Sequence, residues 1–142
     1  MTHSRSLGLA LAAALAACST SPSGVSGPPN IEFSATPSAV APGSVVHLSL
    51  RNSSSATIAA LPCPLVLQRW DGSTWVAVPD GAILCALVED TLAPGARYDR
   101  AKTIDPSTVG GTYRAELMVD LLDTHSRVGV YSNAFTILGV MP

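Results

Sequence analysis

Thr112-Tyr113-Arg114-Ala115-Glu116-Leu117-Met118-Val119-Asp120 alternates apolar and polar residues except at Met118. Tyr113, Ala115, Leu117 and Val119 fall on one side, and Arg114, Glu116, Met118 and Asp120 on the other. A period of two is that of a β-strand with one face in a core. A helix would place its apolar residues three and four apart, and no segment of the domain sustains such a stripe. Gly110-Gly111, just ahead, permits a tight approach of the chain as the strand begins.

Working outward from this strand, the same alternation recurs in shorter runs separated by Pro, Gly, Asn and Asp. Val46-His47-Leu48-Ser49-Leu50-Arg51 turns Val46, Leu48 and Leu50 inward and His47 outward. Ile31 to Thr36 reads as a first strand closed by Pro37, followed by a turn at Val40-Ala41-Pro42-Gly43. Asn52-Ser53-Ser54-Ser55 breaks the second run. Leu65 to Trp70 and Thr74 to Val78 flank Asp71-Gly72, a strong hairpin signal. A turn at Asp80-Gly81 and a strand from Ile83 to Val88 follow. Thr91-Leu92-Ala93-Pro94-Gly95 reads as a tight turn, with Leu92 plugging the core and Pro94 and Gly95 shaping the bend. Tyr98 to Ile104, Val128 to Tyr131 and Ala134 to Leu138 complete the pattern. The expectation is an all-β sandwich of about seven to nine short antiparallel strands.

Gly111-Thr112-Tyr113-Arg114 resembles the Gly-x-Tyr start of strand F in immunoglobulin-like folds. That resemblance implies a structural Tyr113 whose hydroxyl bonds back to a turn. The run from Leu67 to Val78, Leu92-Ala93-Pro94-Gly95, and the final Phe135-Thr136-Ile137 extend the likeness. Residues 44 to 138 are thus similar to bacterial immunoglobulin-like domains of exported proteins. There is a departure: where antibody-type domains join strands B and F by a disulfide, this chain carries residues such as Leu48 and Ala115. No antigen-type loop is carried over.

The chain begins with a different kind of segment. Leu7 to Ala17 is apolar or small throughout and is too short for a stable bilayer-crossing helix, which needs about 20 residues. It fits a signal h-region. Leu15-Ala16-Ala17-Cys18 resembles a bacterial lipobox, which implies cleavage after residue 17 and acylation of Cys18. Two or three acyl chains would anchor firmly, at about 0.8 kcal/mol for each buried CH₂. Ser19 after the Cys resembles the outer-membrane-sorted pattern, placing the protein in the cell envelope, facing the periplasm or the surface. Residues 18–29 then form the lipidated Cys and a flexible Ser/Gly/Pro linker, and residues 30–142 the sandwich domain.

Loss of Arg5 with the leader takes Lys+Arg from 8 to 7 against 10 Asp+Glu, a net charge of −3. Lys102 is the only lysine. This balance offers no basic surface for nucleic acid. Cys63 and Cys85 remain after lipidation. In an oxidising compartment they are expected to pair, closing a 23-residue loop worth roughly 3 kcal/mol in the chain-entropy model.

The sequence assigns no catalytic residue, cofactor or metal. Gly-x-Ser-x-Gly and glycine-rich phosphate loops are absent. Asp120, Asp123 and His125 bear ligand-type side chains, but their spacing matches no metal motif. Trp70 and Trp75 flank the Asp71-Gly72 turn. Five apart, they would face opposite ways on a continuous strand, though a hairpin changes that; an exposed Trp there could contact a protein or glycan partner. The reading is a non-enzymatic, membrane-anchored binding or structural module. The alternative is an inhibitor of a protease or other hydrolase, acting through Asn52 to Pro62 or Leu121 to Arg127.

Overall fold

The computed structural model describes residue 28 and residues 30–79 and 90–139. Cys18, Cys85 and the expected strand from Ile83 to Val88 lie outside this range, as does the leader. The described residues form ten strands and no helix: β1 Ile31–Thr36, β2 Ala39–Val40, β3 Val45–Asn52, β4 Ile58–Trp70, β5 Trp75–Val78, β6 Asp90–Leu92, β7 Arg97–Thr103, β8 Gly111–Leu121, β9 Ser126–Tyr131 and β10 Phe135–Ile137.

The strands make two sheets. The smaller has the order β1-β3-β7. In the larger, β2-β10-β8-β4-β5 runs across one end, while at the other β6 pairs with β4 and β9 with β8. In immunoglobulin lettering these are A-B-E and A′-G-F-C-C′, so the sandwich is immunoglobulin-like. The inward sides of both sheets share one core. Phe33, Ala35, Val46, Leu48 and Leu50 from the smaller sheet meet Leu67, Tyr113, Ala115, Leu117, Val119 and Phe135 from the larger. Each large apolar side chain buried this way contributes about 1.5–3 kcal/mol relative to exposure.

Three details differ from the sequence reading. First, the sandwich is not wholly antiparallel: β2 pairs with β10 in parallel. Pro37 has no N–H to continue the ladder after Thr36, and the chain passes there from one sheet to the other. Second, Thr91 and Leu92 belong to a short strand, so the turn proper begins at Ala93.

Third, β4 starts at Ile58 rather than Leu65, so Ile58 to Pro62 of the expected loop Asn52 to Pro62 is strand. Ile58, Ala59, Ala60 and Leu61 are all buried. Their unbroken apolar run hides the period of two. Pro62 and Pro64 sit where the register slips. Leu61 pairs with Met118 and Val66 with Glu116, so residues 62–65 oppose Leu117 alone. A bulge accommodates prolines that a regular central strand would not.

Two asparagines fasten this frame. Asn52, fully buried, donates from Nδ2 to the carbonyls of Ala56 (2.8 Å) and Leu92 (2.9 Å). Its Oδ1 accepts from Ser54 N and Oγ, so one side chain ties the end of β3 to β6 and to the turn before β4. Asn133 bridges the two sheets. Its Oδ1 accepts from Ala35 N (2.8 Å) and its Nδ2 donates to Ala35 O (3.1 Å).

Candidate functional site

Trp70 and Trp75 end β4 and begin β5, and the register pairs them directly. The hairpin reverses the chain, so residues five apart come to one face. Asp71 builds the turn. Its Oδ1 accepts from Ser73 N (2.8 Å), Thr74 N (2.7 Å) and Ser73 Oγ (3.0 Å). These donors, Thr74 first, hold the Asp71 carboxyl below its ordinary range. Gly72, at φ 107°, supplies the conformation that L side chains avoid. The indole rings stand 5.3 Å apart at a 59° tilt, a favoured geometry for aromatic pairs.

The face continues across the sheet. Gln68 of β4 lies opposite Arg114 of β8, and Glu116 of β8 lies opposite Tyr131 of β9. The Arg114 guanidinium sits 4.5 Å from the Trp75 ring and 4.1 Å from the Tyr131 ring, between two aromatic surfaces on one outward-facing sheet. Its Nε donates to Gln68 Oε1 at 2.8 Å. Gln68 Nε2 in turn donates to Glu116 Oε2 at 2.7 Å. The Tyr131 hydroxyl lies near Glu116 beside Gly129, and partial burial, then the nearby Glu116 carboxylate, push that hydroxyl above its usual value. Burial lowers Arg114 from its usual value, opposed by Tyr131 and Glu116, but an arginine remains a cation at any physiological pH. Gly129 leaves room for the Glu116–Tyr131 pair. A Cβ there would stand 3.0 Å from Glu116 Oε1 and 3.1 Å from the Tyr131 hydroxyl.

The result is an outward face of Trp70, Trp75, Arg114 and Tyr131 whose side chains are half-buried and held in place by packing and hydrogen bonds. Trp, Tyr and Arg are the residue types that dominate protein contact surfaces. Ordering such groups before binding removes part of the entropic cost of contact. The arrangement fits recognition. It places no nucleophile beside a base.

The other residues singled out in the sequence lie elsewhere. Tyr113 is on the inward side, 1% exposed, stacked on Phe135 at 6.4 Å, with its hydroxyl donating to Val109 O at 2.5 Å. Leu92 is in the core. Pro94 and Gly95 form the turn after it, where Gly95 at φ 80° donates its N–H to Asn52 O at 2.7 Å. Asp120 pairs with Arg127 through two hydrogen bonds, 2.7 and 2.8 Å. Asp123 and His125 are in the exposed turn between β8 and β9. Among the described residues no three His, Cys, Asp or Glu side chains gather as a metal site, and no helix is long and apolar enough to cross a membrane. Cys63 lies in β4; the expected Cys63–Cys85 bridge falls outside the described residues.

No family model matches the chain. No curated protein matches it. Among solved structures it is similar to the ASH / PapD-like domain of human CEP192 (PapD-like domain 7), at 12% identity and a TM-score of 0.36, over 95% of this chain and 100% of that one.

Proposed function

We propose that this chain is a non-enzymatic envelope lipoprotein, anchored through acylated Cys18 and binding its partner through the Trp70–Trp75–Arg114–Tyr131 face. The placement of the Arg114 guanidinium between Trp75 and Tyr131, on a sheet face open to solvent, is the observation that carries the binding role. A sandwich needs core aromatics for stability, but it has no need to fix an arginine between rings on its outer side. The anchor rests on Leu15-Ala16-Ala17-Cys18 and on the linker that follows. Residues 19–29 would hold the domain clear of the lipid, leaving the face accessible. Export would also oxidise Cys63 and Cys85 to a stabilising disulfide.

Two measurements test this reading. The intact mass of the membrane fraction should correspond to residues 18–142 plus acyl chains, and Cys18→Ser should leave the precursor unprocessed. A mature protein without acyl chains contradicts the anchor. Partner recovery from native envelopes should fall at least tenfold for Trp75→Ala with Arg114→Ala, while the melting temperature stays within a few degrees. Equal recovery contradicts the assigned face.

A further inference from the structure

A second feature lies on the other side of β4 and β5. Where the edge of the larger sheet overhangs the segment after β7, a groove of about 430 Å³ opens between the sheets. Small-molecule sites occupy about 300–1,000 Å³. Leu67 and Tyr113 line it from the core side, Val76, Val78 and Pro79 from β5 and just beyond it, and Val109 from the opposite wall. These are apolar surfaces.

The charged groups of the groove are not equally engaged. Asp71 accepts three hydrogen bonds from its own turn. Asp105 accepts from Ser107 N (2.7 Å) and Ser107 Oγ (2.5 Å). Each carboxylate thus has one oxygen engaged by local donors, and Lys102 has a partner of its own. Arg69 differs. It is half-buried on β4, inward beside Tyr113, with its side-chain carbons packed beside Gly111. Among the described residues no hydrogen bond or ion pair engages its guanidinium. A guanidinium with no protein partner can take an anion, and a planar five-donor group is shaped for a carboxylate.

We propose that this groove binds a small amphipathic carboxylate, with the anionic head on Arg69 and the apolar body against Leu67, Val76, Val78 and Val109. The site is separate from the aromatic face and does not depend on it.

The probe is 3-phenylpropionate, with 3-phenylpropanamide as its uncharged counterpart, titrated into the full mature chain in detergent and read by backbone amide NMR shifts. Binding should move residues 67–69, 76–79 and 105–109. The amide should bind at least tenfold more weakly than the acid. Arg69→Gln should weaken the acid at least tenfold and leave the amide unchanged. Should Arg69→Gln fail to fold, Val76→Glu at the exposed rim provides the second test. Its added negative charge should weaken the acid and spare the amide. Shifts confined to other residues overturn the proposal. So do equal affinities for acid and amide, a folded Arg69→Gln that binds the acid like the unaltered protein, or no saturable binding of the acid at millimolar concentration.

Discussion

Arg114 shows how one side chain can serve both sheet and surface. It contacts rings on both sides and hydrogen-bonds Gln68. A double-mutant cycle of Arg114→Ala and Trp75→Ala should return a coupling of about 0.5–1 kcal/mol in denaturant melts. The Tyr131 hydroxyl should titrate above 10.0, and Glu116→Gln should bring it back toward that value by removing the charge; tyrosine carbon NMR reads this directly. On the inward side, Tyr113→Phe removes only the bond to Val109 O and should cost about 0.5–1.5 kcal/mol. Tyr113→Ala removes the ring and should cost about 3–5 kcal/mol. The inward side of β8 was legible in the sequence because apolar residues there recur at every second position. Its outward side was not. In the sequence Arg114 and Glu116 have no role beyond the polar side of the strand and Tyr131 none beyond a strand end, and only the pairing of β8 with β4 and β9 brings them together. Counting outward residues on neighbouring strands would have been the signal, but pairing is not written in a single strand.

At the scale of elements, the Asp71–Thr74 hairpin was legible because Asp-Gly between alternating runs has few other solutions. The start of β4 was hidden for the opposite reason. Ile58-Ala59-Ala60-Leu61 carries no alternation, and two prolines follow it. Only the bulge between Leu61 and Val66 reconciles those prolines with a central strand. Asn52 was read as a break in the chain and proves to be a buried clasp, since nothing local distinguishes an Asn that caps a turn from one that binds a strand 40 residues away. Asn52→Ala leaves two backbone carbonyls without their donor and should destabilise the domain by about 2–3 kcal/mol. Gly95→Ala, at φ 80°, should cost about 1–2 kcal/mol through backbone strain alone, because an added Cβ would stand in open space.

Across the whole molecule, the β-sandwich followed from strand alternation and turn chemistry and its immunoglobulin-like character from the resemblance carried by Gly111-Thr112-Tyr113-Arg114, whereas the parallel pairing of β2 with β10 depended on contacts that no local pattern encodes. The exposed acids give the pH dependence. Asp71, Asp99, Asp105 and Asp120 all sit below 3.8, held down chiefly by Thr74 N–H, Arg97, Ser107 and Arg127 respectively. Folded values below unfolded ones add stability above the unfolded value, and that stability is lost as pH falls through the folded values. Denaturant midpoints should therefore be flat from neutral pH to about 5 and decline below about 4, only slightly because these groups are exposed and solvent-screened. The domain is proposed to bind its partner through the larger sheet. Ala77 lies on the outward side of β5 beside Gln68, and Ala101 on the smaller sheet; both are exposed. The most direct measurement is photo-crosslinking in intact envelopes from benzoylphenylalanine placed at one position or the other. Crosslinks from position 77 at several times the yield from position 101 are expected. Equal yields, or crosslinks from position 101 alone, would contradict the claim.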